Sequence, residues 1–520
     1  MLFNSYVFIF LFLPVTLIVF FAIGREGRHR PAIAWLVGAS LFYYGWWNPA
    51  FLGLIIASTL FNYATGVALA RRQRSAAGKA ILAFGVTVDL GILAYFKYAH
   101  FLAENINSAT GAHLHFASAI LPLGISFFTF QKIAYLVDAY RGEVRNYGFL
   151  QFFLFVIYFP QLIAGPIVHH KEIIPQFARD RVYRFEPRNL AAGLMIFFIG
   201  LFKKVILADR LAAPYGTPVF DAALHGITPD FYEAWGGALA YTLQLYFDFS
   251  GYSDMAIGAS RMFGIRLPIN FHSPYKAVNI IEFWRRWNIT LSRFLRDYLY
   301  IPLGGNRHGP LRRYLNLFLT MLLGGLWHGA GWTFVFWGLL HGFYLAVNHA
   351  WHGVRRLLGH DPRLSSWQGR VVSRALTFAA VVAGWVFFRA GSWDAAVTMI
   401  QSMTGMHGFS LPPEVMKKLG PLGSTLSLLG WQTMDADLFQ NLKGAWLIPL
   451  FLIIWCMPNT QQLMARCRPA LNFDTLEQTP SHLQWIAWKP SRLWAALGGA
   501  IAVIALLNLS RVSEFLYYQF

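Results

Sequence analysis

Asn288 and His328, forty positions apart, are the residue types on which proton transfer and charge stabilisation can be built. Imidazole takes or gives a proton near working pH. An amide donates a hydrogen bond to an oxygen that gains negative charge. Asn288 lies in IIEFWRRWNITLSRFLRDYLYIPLGG, an amphipathic basic stretch, and His328 lies in LLGGLWHGAGW, inside hydrophobic chain. An ionisable residue at membrane depth is a functional-site hypothesis by default. The structural alternatives are a neutral histidine hydrogen-bonded within a bundle and an asparagine serving as a helix cap. His341, in WGLLHGF, faces the same choice, with the structural reading ahead.

Around this pair, LYFDFSGYSDMAIG places Asp248, Ser250, Ser253 and Asp254 at the end of an apolar span. Two carboxylates there can bind a cation, orient a histidine or cap the next helix, and Asp254 can equally pair with an arginine. Arg285, Arg286 and Arg307, with the loop GGNRHG, can cradle the phosphates of a cytoplasmic donor such as coenzyme A. The same arginines also fit simple positive-inside topology. Trp287 and Trp327, next to the two central residues, complete the candidate set.

These residues need a membrane scaffold. The chain has 520 residues, 56% of them hydrophobic and only 13% charged, against roughly 25% charged in ordinary soluble domains. It therefore reads as an all-α polytopic membrane protein. A net charge of +19 suits a nucleic-acid binder, but the cations sit in short loops between apolar segments, so membrane orientation explains them and nucleic acid is excluded. Cys456 and Cys467 have neither ligand-like spacing nor a disulfide framework, and no metal is expected.

The apolar segments give about 11–13 transmembrane helices with re-entrant and interfacial pieces. Spans are expected near 33–47 and 50–70, as a hairpin around Asn48-Pro49, and near 80–97 and 118–138. Residues 149–168 are apolar but flanked on both sides by basic loops, which predicts a re-entrant segment broken at Pro160 or Gly165-Pro166. Further spans fall near 190–208, 231–250, 314–328, 332–350, 375–390, 444–458 and 494–509. At helical spacing Ile280, Trp284, Trp287, Leu291, Phe294, Leu295 and Tyr298 share one face, which predicts a continuous interfacial helix with the Asn288 amide turned toward its apolar side. The chain divides into N-terminal spans 1–148, a catalytic core 149–350 and C-terminal spans 351–520, forming one integral-membrane domain. Cation-rich loops, among them Arg71, Arg72, Arg141, Arg145, Arg363 and Arg370, fall on the cytoplasmic side. Both termini and the loops 99–117, 209–230 and 405–443 then face the periplasm.

Several long motifs in order resemble the membrane-bound O-acyltransferase family. They are LPLGISFFTFQKIAYLVDAYRG, YFPQLIAGPI, LYFDFSGYSDMAIGASRMFGIRLPINFHSPYKA, FWRRWNITLSRFLRDYLYIPLGGNR and LLGGLWHGAGWTFVFWGLLHG, supported by WVFFRA, CMPNTQQ and the C-terminal FLYYQF. Within the family they look most like the membrane subunits that acetylate alginate and other exopolysaccharides. The resemblance implies a helical-bundle fold, His328 at the catalytic histidine position and Asn288 at the partner position, where many bacterial polysaccharide members carry histidine. It further implies acetyl-coenzyme A as a donor substrate, with no bound cofactor. The implied setting is the bacterial inner membrane, among its lipids, with periplasmic acetyltransferase and polysaccharide-export proteins as partners. Another acceptor, such as cellulose, peptidoglycan, teichoic acid or lipid, is the alternative, and a polysaccharide or lipid transporter is the rival from a different class.

Overall fold

Ser75, Ser366 and Ser491 each accept a hydrogen bond from the backbone N–H three residues on, and a helix starts after each of them. Such caps satisfy amides that a helix start leaves without partners. The computed structural model describes all residues except 26, 116–119, 145–146, 360, 362–365, 412, 429, 434–444, 476–484, 510–514 and 517–520. Arg145, Arg363, most of FLYYQF and the end of the 405–443 loop lie outside the described residues. Among the described residues the chain is predominantly helical, with a short parallel pairing of Ser410–Leu411 with Gln432–Thr433 and an isolated bridge between Pro268 and Leu471.

Four helices are long and apolar enough to cross a membrane: Ala50–Ala70, Ala76–Thr110, Pro187–Leu224 and Trp367–Arg389. Phe8–Gly24, Leu447–Cys456 and Arg492–Leu507 are shorter apolar helices. Phe231–Met262, Gly309–His328 and Trp332–Leu357 are 32, 20 and 26 residues long, but their buried polar residues dilute the apolar signal. The hairpin at Asn48-Pro49 forms as expected, between His29–Gly45 and Ala50–Ala70.

Two expected outer loops turn out to be largely helix. The helix from Ala76 meets no proline and no left-handed residue until Gly111, at φ 71°, so it takes in most of the 99–117 stretch. Residues 187–224 form one continuous rod whose middle, Lys203–Ala212, is wound as a π-helix, leaving only a short connection before Asp230. Phe231–Met262 likewise runs past the expected end at 250. Asp248, Ser250 and Asp254 therefore sit mid-helix and do not cap a span.

The rods Pro187–Phe202 and Phe231–Met262 pack at contact distance through glycines. A Cβ on Gly258 would lie 2.6 Å from the Gly193 carbonyl oxygen, and one on Gly200 would lie 2.5 Å from that of Gly251. Small residues allow this approach where lipid supplies no hydrophobic drive. The π segment then turns adjacent lysines onto the same neighbour. Lys203 Nζ lies 2.7 Å from Asp254, and Lys204 pairs with Asp248 and, at 3.0 Å, with Asp209.

The re-entrant segment is broken where the chemistry of proline requires it. Phe149–Ile157 ends at Tyr158 (φ −51°, ψ 110°), just ahead of Pro160, because proline cannot continue the preceding turn. Every residue from Phe152 to Val168 is buried. Groups freed by the break are recaptured: Gln161 Nε2 donates to the Phe155 carbonyl (2.5 Å), the Phe159 N–H to Ser40 (3.2 Å) and the Ile167 N–H to Thr290 (2.9 Å). This is the condition under which irregular backbone persists at membrane depth.

The interfacial stretch departs most from expectation. It consists of Ile280–Arg286, a break at Trp287–Asn288, Ile289–Leu295 and a π turn at Arg296–Tyr300. Asn288 takes the left-handed conformation, φ 40° and ψ 55°, which asparagine tolerates better than most residues.

Candidate functional site

His328 is the last residue of Gly309–His328, and its helix end is pinned from another helix. Carbonyls at a C-terminus lack intrahelical partners and carry partial negative charge. Here Tyr98 Oη donates to the Leu326 carbonyl (2.7 Å), and Lys97 Nζ donates to those of Trp327 (2.6 Å) and His328 (2.9 Å). The His328 ring, 5% exposed, sits edge-on to Trp327, Trp337 and Phe388 at 4.9, 5.1 and 5.2 Å. Trp337 also meets the ring of His341 at 4.8 Å. His341 is fully buried between Trp337 and Trp284, and neither of its ring nitrogens has a hydrogen-bond partner among the described residues.

Asn288 is joined to this box through the ring of the residue before it. Its neighbour Trp287 packs on Trp385 (4.8 Å), which lies nearly parallel to Trp337 at 5.9 Å. The Asn288 side chain is 2% exposed, makes no capping bond to the following helix, and its Nδ2 has no acceptor among the described residues. A buried, unmatched donor costs about 1–3 kcal/mol, and left-handed backbone at a non-glycine residue adds to that. Such strain is held by its surroundings. Asn270 accepts from the Thr290 hydroxyl (2.8 Å) through Oδ1 and from the Ile289 N–H (2.9 Å) through its carbonyl, while its Nδ2 donates to Ser253 (3.3 Å). The arrangement can present an amide donor to a substrate oxygen and an imidazole base to a proton.

The other candidates separate into groups. Trp287 and Trp327 are buried parts of the aromatic framework, Trp327 stacking on Phe130 at 5.2 Å. Asp254 is held by Lys203, Thr460 (2.7 Å) and Gln461 (3.1 Å), and Asp248 by Lys204 and the Leu516 N–H (3.3 Å). Both carboxylates are thus committed to a structural network, with lysine in place of the expected arginine. Ser250 is buried on the same helix. Arg286 pairs with Glu282 at 2.7 Å, while Arg285 and Arg307 are exposed and separate from that pair.

Asp138, His169 and His170 have the types and proximity of metal ligands, their donor atoms lying within 4.8 Å of one another. Their hydrogen bonds describe a different device. The Lys171 N–H donates to His169 Nδ1, which places the ring proton on Nε2, the atom 2.8 Å from Asp138. His170 Nε2 (2.9 Å) and Tyr298 Oη (3.1 Å) reach the same carboxylate oxygen. Burial pushes the His170 imidazole below its ordinary range, against the pull of the Asp138 bond. The cluster therefore works as a carboxylate hub that anchors the Arg296–Tyr300 turn.

Lys97, Tyr98, Asn270 and Thr290 were not singled out from sequence, although a lysine inside an apolar run was the available signal for the first. Lys97→Met is expected to lower turnover roughly tenfold, about 1.4 kcal/mol, with a smaller change in the donor KM, because it loosens the helix end that aims His328. Lys97→Arg should restore part of the loss. Steady-state kinetics check this, and a wild-type turnover in Lys97→Met removes the positioning role.

The family model for membrane-bound O-acyltransferases matches residues 40–377. The chain is 45% identical over 441 residues to the peptidoglycan O-acetyltransferase of Helicobacter pylori, covering 79% of this chain and 81% of that protein. It is 44% identical over 409 residues to the probable alginate O-acetylase AlgI of Pseudomonas aeruginosa, covering 78% and 75%. A teichoic acid D-alanyltransferase of Streptococcus thermophilus is 28% identical over 250 residues, covering 46% and 59%.

Proposed function

Because this chain belongs to the membrane-bound O-acyltransferase family, we propose that it passes acetyl groups from cytoplasmic acetyl-coenzyme A to hydroxyls destined for an extracytoplasmic polysaccharide. It is an O-acyltransferase of the bacterial type represented by its acetylating relatives. The observation that carries the reading is the convergence of two features. His328 stands in an aromatic box on a pinned helix end, and the Asn288 amide, whose neighbour Trp287 is linked to that box through Trp385 and Trp337, is buried with no partner for its Nδ2 among the described residues.

In this reading His328 takes the proton from the attacking hydroxyl as its oxygen bonds to the thioester carbon. The carbonyl oxygen becomes an oxyanion, and the Asn288 amide donates to it. Removing one such donor costs about 10²–10³ in kcat where measured. Collapse breaks the carbon–sulfur bond, and His328 returns the proton to the departing thiolate. An ester and free coenzyme A result.

Exopolysaccharide of the alginate type is the acceptor we favour, with peptidoglycan as the alternative; relatives named for each are 44% and 45% identical to this chain. The chain sits in the inner membrane with both termini outside, and a periplasmic acetyltransferase receives the group. The test uses purified protein in oriented vesicles, with labelled acetyl-coenzyme A on the cytoplasmic face and alginate or peptidoglycan fragments as acceptors. Label on one polymer class identifies the acceptor. No label on any hydroxyl acceptor, with or without the periplasmic partner, overturns the assignment.

A further inference from the structure

A cavity of about 490 Å³ lies where the loops after the re-entrant segment meet the end of Phe231–Met262. Its walls carry Lys171, Arg179, Arg181, Arg261 and Arg266 against Glu172 and Glu186. Glu172 already holds Arg293 in a bidentate pair (2.6 and 2.8 Å), and Lys171 pairs with Glu143. Among the lining residues, four arginines then face one remaining carboxylate. Arg261 is 7% exposed, spends one terminal nitrogen on the Cys467 carbonyl (3.3 Å), and its Nε has no hydrogen-bond partner among the described residues.

The walls are fixed before any ligand arrives. The Gln176 side chain exchanges two bonds of 2.9 Å with the Arg266 backbone, and the Leu471 N–H donates to the Leu267 carbonyl (2.9 Å). Burial, then the like charges of Arg181 and Arg468, hold the Arg266 guanidinium below its ordinary value. A crowd of cations held this way is relieved by a polyanion. Guanidinium forks match phosphate oxygens two at a time, and the volume is that of a small-molecule site.

We propose that this cavity binds the phosphates of the nucleotide head of coenzyme A, an inference that rests on acetyl-coenzyme A being the donor. It is a second cluster beside the cradle expected at Arg285, Arg286 and Arg307, of which the first and last are exposed and the second is paired with Glu282. Placement supports it. The Glu172–Arg293 pair joins the cavity wall to Ile289–Leu295, the helix that Asn288 begins, so the head and the reaction centre share one segment. An anionic lipid headgroup offers the same phosphate chemistry.

The test measures binding of coenzyme A and adenosine 3′,5′-bisphosphate to the full-length protein in neutral phosphatidylcholine nanodiscs. Arg261→Gln/Arg266→Gln should weaken both ligands by at least about tenfold. Arg179→Glu/Arg181→Glu, at exposed positions where folding is not at stake, should do the same. Wild-type affinity for coenzyme A in both variants overturns the cavity and leaves the donor reading standing. Loss of phosphatidylglycerol retention in the variants, with coenzyme A binding intact, makes it a lipid site and overturns it too. A wild-type protein that binds neither ligand removes the donor reading and the inference together.

Discussion

His328→Ala is expected to abolish acetylation of the exported polymer, a loss of at least about 10²–10⁴-fold, because a hydroxyl attacks poorly until a positioned base removes its proton. The protein should still fold and insert. Contacts that fix the helix end run from Lys97 and Tyr98 to backbone carbonyls, and alanine keeps those carbonyls. The aromatic box loses one ring of several, a truncation of about 1–3 kcal/mol. Asn288→Gly separates chemistry from backbone strain, since glycine accepts φ 40° while removing the amide. It should slow transfer by less than His328→Ala does. Polymer acetyl content and the thermal transition of the detergent-solubilised protein check both variants. Near wild-type acetylation in His328→Ala would contradict the assignment of a base.

The second large effect is on stability. Lys204 and Asp248 have side chains 1% and 3% exposed, and removing one partner leaves an uncompensated charge in a site that cannot solvate it. Breaking a buried pair in this way costs about 3–5 kcal/mol. Asp248→Ala should therefore lower the thermal transition more than any substitution at the candidate site, although Asp209, 3.0 Å from the same ammonium, supplies part of the missing charge. Lys204→Met with Asp248→Leu should recover much of the loss, because the pair's desolvation is then no longer required. Fluorescence-detected gel filtration after heating reads this. An Asp248→Ala protein as stable as wild type would show that the network is not holding the two rods together.

What sequence could reveal followed from signals that are local. Asn48-Pro49 marked a hairpin, Pro160 a broken segment, and the apolar surroundings of His328 marked it as buried. Periodicity also placed Asn288 toward the apolar side, but for a different reason from the real one. A 3.6-residue pattern reports which face is buried and is blind to a single left-handed residue, so the interruption at Trp287–Asn288 was invisible. Loop boundaries failed at 99–117 because its polar residues continue a helix until Gly111 ends it, and at 209–230 because Pro214, Gly216 and Pro218 are all taken up by the helix that follows the π segment. The pairing of Lys203 and Lys204 with Asp254 and Asp248 depends on a π segment and on contacts between residues 44 and 51 positions apart, which no local pattern encodes. The Lys97 and Tyr98 clamp reaches across about 230 residues for the same reason.

Acyl transfer should depend on the His328 imidazole, and donor binding should not. A time course of labelled acetyl transfer from acetyl-coenzyme A to a hydroxyl acceptor separates the two, with wild-type and His328→Ala proteins in the same vesicles and coenzyme A binding measured in parallel. Binding should be equal in the two proteins, with transfer by the wild type alone. Transfer by His328→Ala at the wild-type rate would contradict it.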